Sequence, residues 1–309
     1  MLKCCWDKKS CGQSFRIEIE IMKVNNLILN FASYISKIVP LSLKKYIYKS
    51  SAISTTIRNG LNRFAPEGYS QVSVAAGTNE GLEMLLDLQV EKDYWLGTYE
   101  PELQQVIEIL VKPEQVVYDI GANIGFITLM FARLTGEIGH VYAIEVLPEN
   151  VKRLKQNIGL NGYQERVIVI QAAVKDQEGE TEFLIGPSGA MGKVKGSAGR
   201  DTVDYQEGLH VQGISIDGLI DNTGYPSPDI VKVDIEGGEV LALPGMAKLL
   251  HQKHPLVFLE LHGPESAESS WEHLIDCGYR ICRMTADFPR IENLEDLDWK
   301  SYIVAFPDE

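Results

Sequence analysis

VVYDIGANIGFIT, residues 116–128, passes from a short apolar run into Asp119, then through Gly121 and Gly125 into apolar residues at helical spacing. That order predicts a strand, a tight turn and a helix. Gly121 has no Cβ, so the chain can bend sharply there and a ligand can lie close to the main chain. Gly125 lets the following helix sit close to its strand, and the free N–H groups at a helix start suit an electron-rich ligand group. A second acid, Glu145, closes the next apolar run (HVYAIE, residues 140–145). Its distance from the glycine turn suits a carboxylate that grips ribose hydroxyls. A dinucleotide fold would carry a further glycine to seat a pyrophosphate, and that pattern is missing, so the spacing favours a nucleoside pocket without one.

Composition narrows the classes. A chain of 309 residues with 45% hydrophobic content buries a full core, and a formal net charge of −14 argues against a nucleic-acid binder, which needs a basic face. The charge is unevenly spread: Lys23, Lys37, Lys44, Lys45, Lys49, Arg58 and Arg63 lie in a stretch, residues 23–66, that holds no acid. The cysteines (Cys4, Cys5, Cys11, Cys277, Cys282) form no C-x-x-C pairs, and no apolar run approaches the length a bilayer demands. Together these predict a cytoplasmic protein.

Three segments are expected. Residues 1–22 are unlike the remainder and are expected to be a disordered extension. Residues 23–66 form a basic amphipathic helical segment, with Leu27, Ile28, Phe31, Ile35 and Ile38 on one face. Its first reading is a cap helix docked on the main domain, and its second is a peripheral contact with an anionic membrane surface. Residues 67–309 begin with a hairpin around GTNEG (77–81) and a helix from Pro101, then alternate strand and helix. Strands are expected at 116–120, 140–145, 167–172, 229–234, 255–261, 279–284 and 301–306, and helices at 124–135, 148–160, 237–251 and 266–277. This is an α/β pattern, a mostly parallel seven-stranded sheet with helices on both faces, plus an N-terminal helical and hairpin extension. The small-residue run 186–201 (GPSGAMGKVKGSAGRD) is expected to be a loop, either a lid or disordered.

Charges stand where a buried strand should have none. In VKVDIEGGE (231–239), Lys232, Asp234 and Glu236 alternate with apolar residues, and in VFLELHG (257–263) Glu260 and His262 do the same. Ligands of open α/β sheets bind beyond the carboxyl ends of the strands, where these groups fall. Lys232 and Glu260 are expected to form a buried ion pair between neighbouring strands. Asp234, Glu236 and His262 are the candidate catalytic groups.

DIGANIG, the strand-end acid followed by PEN (148–150), and KVDIEGGE together resemble the FkbM-type family of S-adenosylmethionine-dependent methyltransferases, of the class I, Rossmann-like fold. The resemblance runs from about Tyr94 to the C-terminus. Val146 and Gly238 depart from the residues usual in that family, proline and alanine. What the resemblance implies is a cofactor pocket in which Asp119, Gly121, Ala122, Asn123 and Gly125 hold the methionine side. Glu145 would hold the ribose, and Ala172 and Ala173 would flank the adenine. Asp217, in SIDGL, recurs in the family but reads equally well as a helix N-cap.

The implied reaction is O-methylation of a sugar, glycan or natural-product hydroxyl. Orientation supplies most of the rate, and a base must take the hydroxyl proton. His262 is the first candidate, since an ordinary imidazole titrates near neutrality, and Asp234 or Glu236 the second. Alternatively Asp234, Glu236 and His262 hold a divalent cation, Mg²⁺ or Ca²⁺, that acidifies the hydroxyl. An amine or carboxyl methyltransferase would use the same cofactor pocket. A nucleotide-dependent oxidoreductase is disfavoured by the glycine spacing. A non-catalytic binding protein would be free to lose the loop glycines or Glu145, and this chain keeps them.

Overall fold

The structure, a computed structural model, describes residues 34, 60, 65–186, 192–198, 205, 208–297 and 302–308. The extension at 1–22, nearly all of the basic segment and parts of the 186–201 run lie outside these. The chain divides into two compact units, Met1–Pro101 and Glu102–Glu309.

In the first unit, β1 (Tyr69–Ser73) and β2 (Glu83–Asp87) pair antiparallel, Tyr69 opposite Asp87, about the expected GTNEG turn. A five-residue helix, α1 (Lys92–Leu96), follows; it is too short for periodicity to reveal. It stops at Gly97, whose φ of +66° puts it in the left-handed region. Only glycine fits there, because a Cβ would lie 1.8 Å from the Ala76 carbonyl oxygen.

The second unit is built on α2 (Pro101–Leu110), β3 (Val116–Ile120), α3 (Phe126–Thr135), β4 (His140–Glu145), α4 (Pro148–Leu160) and β5 (Val167–Gln171). After β5 the chain leaves the main sheet. β6 (Ala173–Val174), β7 (Gly179–Ile185), β8 (Gly192–Val194) and β9 (Gly208–Ile214) form a separate sheet in the order β6-β9-β7-β8. Within this stretch the sequence predicts a loop over residues 186–201. These strands pair with one another and are mostly half-exposed, so their apolar content is low and they look like coil. Part of the small-residue run is therefore a strand, and Gly192 is small because a Cβ there would meet the Phe183 ring at 2.4 Å.

The chain returns through α5 (Ile216–Thr223), β10 (Ile230–Val233), α6 (Glu239–Ala242), α7 (Ala247–Lys253), β11 (Leu256–Glu260), α8 (Pro264–Asp276), β12 (Tyr279–Arg283) and β13 (Tyr302–Pro307). The single helix expected over 237–251 is split by a 3-10 turn at Pro244–Met246, since proline has no N–H to continue the ladder. The main sheet runs β5-β4-β3-β10-β11-β13-β12, parallel except for β13. This is the expected seven-stranded class I methyltransferase sheet.

Strand alternation sends residues to opposite faces. Tyr118, Ile120, Val231, Val233, Val257 and Leu259 pack with Met246, Leu249, Leu250 and Leu274 on one side. On the other side Phe131 of α3 stacks on Phe258 of β11, centroids 6.4 Å apart. Ser215 caps α5, accepting from the Gly218 N–H at 3.0 Å. Asp217 caps a different helix: its two carboxylate oxygens accept the Lys248 and Leu249 N–H groups (2.8 and 2.9 Å) at the start of α7.

Candidate active site

Because β3, β4, β10 and β11 are parallel, Ile120, Glu145, Val233 and Glu260 all end at one edge of the sheet. The turns that follow them make the site. Gly121 (φ +80°), Asn123 (φ +49°) and Gly125 (φ +97°) give the first turn its left-handed backbone. The glycine at 121 serves packing rather than ligand approach: a Cβ there would stand 1.9 Å from the Asp234 carbonyl oxygen. At 125 a Cβ would meet Leu154 Cδ1 of α4 at 2.5 Å. The turn's amides are also more committed than the sequence implied. Gly121 and Ala122 donate to the Ile144 carbonyl (2.9 and 3.0 Å), Gly125 donates to Ala122 (2.9 Å), and Asn123 donates to Glu145 Oε2 at 2.9 Å.

Asp119, expected among the cofactor-holding residues, is completely buried. Oδ2 accepts from Thr128 Oγ1 at 2.6 Å and Oδ1 lies 3.4 Å from Lys232 Nζ. It therefore supports the glycine turn from beneath. Register explains the pairing: Lys232 lies level with Asp119 on β3 and with Phe258, not Glu260, on β11. The ion pairs the structure shows for Lys232 are with Asp119 and, at 3.3 Å, Asp234, and its ammonium also donates to the Gly121 carbonyl at 3.0 Å. One buried lysine thus ties the glycine turn to the turn after β10.

Glu145 is buried, and burial raises its carboxyl above the ordinary value against the opposing pull of the Leu147 and Asn123 N–H groups. Oε1 accepts from Leu147 N–H at 2.8 Å, and Asn150 Nδ2 of the PEN motif stands 3.5 Å away. Among the described residues no cation pairs with it. A desolvated carboxylate served only by neutral donors is well matched to hydroxyl groups, which use its remaining lone pairs without bringing charge. Ala172 and Ala173, beyond the end of β5, are buried, Ala173 against Phe183 and Val194 of the small sheet.

Asp234, Glu236 and His262 do come together. His262 Nε2 lies 3.8 Å from Asp234 Oδ1, 3.9 Å from Glu236 Oε2 and 3.6 Å from Glu260 Oε1. Glu236 holds a left-handed φ of +53°, a strained conformation for a residue with a Cβ and a frequent mark of functional turns. Burial holds up the Asp234 carboxyl, but Lys232 and then His262 outweigh it and bring it below the ordinary value. Burial would lower the His262 imidazole, yet its hydrogen bond to Glu239, with Glu260 and Asp234 nearby, pushes it up to about 10. A cup of carboxylates thus favours the imidazolium, the form with no lone pair to take a proton, which weighs against the expected part of His262 as first-choice base.

Two contributors escaped the sequence. Glu239, fully buried, accepts from the Ile235 N–H (3.2 Å) and Gly237 N–H (3.4 Å), from Ser266 Oγ (2.8 Å), and lies 3.1 Å from His262 Nδ1. It staples the turn after β10 to the start of α8. Its signal was its place at the end of KVDIEGGE, an acid on the buried face of a helix start. Glu260 was weighed only as a partner for Lys232. The metal-competent donor set among the described residues is Asp234, Glu260 and His262, with Glu260 in place of the expected Glu236.

Residues 119–281 match the model of the methyltransferase FkbM domain. The chain belongs to the FkbM methyltransferase family. Among its relatives, the hexuronic acid methyltransferase AglP of Haloferax volcanii is 30% identical over 162 residues, 52% of this chain and 62% of that protein. The 2-O-methyltransferase NoeI of Sinorhizobium fredii is 25% identical over 149 residues, 44% of this chain and 59% of that protein. The matched regions therefore span about three-fifths of those two relatives' own length. Of solved structures, methyltransferase FkbM from Methylobacillus flagellatus superposes with a TM-score of 0.43 at 15% identity, covering 69% of this chain and 54% of that one. Among the described residues no helix is long and apolar enough to cross a membrane.

Proposed function

We propose that this FkbM-family chain is an S-adenosylmethionine-dependent O-methyltransferase acting on a hydroxyl of a sugar, glycan or related small acceptor. The observation that carries the reading is the meeting of two strand-end turns. A desolvated ribose-type acid, Glu145, and a carboxylate cluster at Asp234 and Glu236 lie along one sheet edge, joined by the packing of Gly121 on Asp234. The hexuronic acid methyltransferase and 2-O-methyltransferase relatives support the choice of acceptor class.

When bound, S-adenosylmethionine supplies an activated methyl group. Glu145 would accept the ribose hydroxyls, with its orientation fixed by the Asn123 and Leu147 amides. The Ala122–Gly125 turn would line the methionine side, and Ala172 and Ala173 the adenine. Asp234 and Glu236 would face the acceptor, where Glu236 takes the hydroxyl proton. The work of the cluster is to hold the hydroxyl at near-attack distance.

The test is calorimetric titration of the purified chain with S-adenosylmethionine, alongside Glu145→Ala. The intact chain binds and the variant loses binding by a hundredfold or more, on the order of 3 kcal/mol, as for removal of a buried charge-assisted acceptor. Methyl transfer from labelled cofactor is then followed to uronic acids and neutral sugars. An alkali-stable methyl ether supports O-transfer to a hydroxyl; a methyl ester or methylamine would move the reading to carboxyl or amine transfer. Failure of the intact chain to bind the cofactor would sink the enzyme reading.

A further inference from the structure

We propose that Asp234 Oδ1, Glu260 Oε1 and His262 Nε2 form a divalent-cation site of the Mn²⁺ or Mg²⁺ type, oriented by Glu239, the ion displacing the proton from Nε2 as it binds. The site rests on geometry; its use, to acidify the acceptor hydroxyl, rests on the O-methyl-transfer reading.

Three observations converge. The three donor atoms lie within 4.8 Å of one another, with Nε2 at 3.8 Å from the Asp234 oxygen and 3.6 Å from the Glu260 oxygen. An ion with bonds of about 2.1 Å holds adjacent ligands about 3–4 Å apart, so the cup needs only a slight contraction. His262 is 3% exposed. Among the described residues, the three carboxylate oxygens that face its Nε2 stand at 3.6–3.9 Å, too long for a hydrogen bond. The ring nitrogen is thus aimed into a ring of oxygens at ion-pairing distance. Finally, the other ring nitrogen is held by the fully buried Glu239 at 3.1 Å, the carboxylate–histidine pairing that orients an imidazole toward a metal.

The remaining charges fit the same assignment. Lys232 engages Asp234 through Oδ2, which leaves Oδ1 for the ion. The Asp234 and Glu260 ligand oxygens lie within 4.8 Å of one another, a closeness that a cation between them relieves. Three donors this close suit an ion with bonds of about 2.1 Å better than Ca²⁺, whose bonds run about 2.3–2.6 Å to a larger set of oxygens, and the single nitrogen favours Mn²⁺. The partly exposed Asp234 and Glu260 side chains leave a side open to solvent and acceptor.

An acceptor hydroxyl on that open side would be acidified by the cation, and Glu236 would receive its proton. The oxygen's electron pair would form the new C–O bond while the methyl–sulfur bond breaks with its pair retained on sulfur. Atoms and charge then balance with no further reactant.

The experiment is electron paramagnetic resonance of Mn²⁺ titrated into the metal-stripped full chain, with Mg²⁺ and Ca²⁺ as competitors. One Mn²⁺ per chain is expected, displaced by Mg²⁺ in preference to Ca²⁺. Glu260→Gln, which keeps shape at a partly exposed position, should abolish binding; Glu239→Gln should weaken it about 10–100-fold. His262→Ala is a further test where circular dichroism shows that it folds. No Mn²⁺ binding by the intact chain, or unchanged binding by Glu260→Gln, would overturn the site. Methyl transfer to a sugar in excess chelator, with no Mn²⁺ bound, would remove the use proposed for the site while leaving the O-methyl reading intact. Stoichiometric Mn²⁺ with no hydroxyl acceptor methylated would uphold the site and remove the use proposed for it.

Discussion

The two halves of the site solve the problem of burying charge in opposite ways. At the end of β4, Glu145 has no counter-ion among the described residues and is held by amide donors, so burial raises its carboxyl. At the ends of β10 and β11, charges are packed against one another until His262 is held as a cation and Asp234 as an anion. The first arrangement suits neutral hydroxyl donors, and the second suits a positive charge or an acidic proton. Two environments of opposite character can therefore share one sheet edge without exchanging partners. Lys232 alone, among the contacts described above, reaches into both, through Gly121 and Asp119 on one side and Asp234 on the other.

Lys232→Ala is the hardest test of that contrast. It strands two acids, one of them fully buried, and should cost about 3–5 kcal/mol in urea unfolding. If it left the stability unchanged, the lysine would not be the link. Gly121→Ala comes next, at about 2 kcal/mol or more, from left-handed strain together with the overlap on the Asp234 carbonyl. Since the overlap pushes both turns apart, Mn²⁺ and cofactor binding should weaken together; loss of only one would separate the halves mechanically.

The third test touches the nucleoside half alone. Glu145 has a raised carboxyl in the folded chain, so it gains its proton at a higher pH there than when unfolded. Its contribution to stability is thus greatest in acid and is lost as pH rises through the folded value. Cofactor affinity runs the other way. In a calorimetric pH series it should fall as pH drops into that raised range, by up to about tenfold per pH unit, and the trend should vanish in Glu145→Ala. Gly238→Ala, in the other half, should be the mildest. Its φ of −72° suits alanine, and the new Cβ would press mainly on the tip of Ile235, so the expected change is below about 1 kcal/mol by thermal unfolding.

The halves also differ in how much of them can be seen in the sequence. Gly121, Gly125 and Glu145 are recognisable because a turn and a strand end are local events with characteristic spacing. The same holds for the main sheet, whose strands are continuous apolar runs. Asp234, Glu236 and His262 stood out as charges in apolar strands. Their partners did not, because pairing is set by register: Lys232 meets Asp119 since β10 lies beside β3, a neighbour far away in the chain. Glu239 stayed hidden for the same reason, since an acid at a helix start is ordinary until Ser266 and His262 are found around it. The small sheet was missed because half-exposed strands lack an apolar signature.

The adjacency of β3 and β10 has a bearing on synthesis. Gly121 and Lys232 are 111 residues apart, so β3, β4 and β5 leave the ribosome well before β10 exists to cover the open side of β3. An uncovered apolar strand invites pairing with other nascent chains. Asp119 sits in the middle of that exposed edge, and a lone carboxylate there repels a second copy of the same strand.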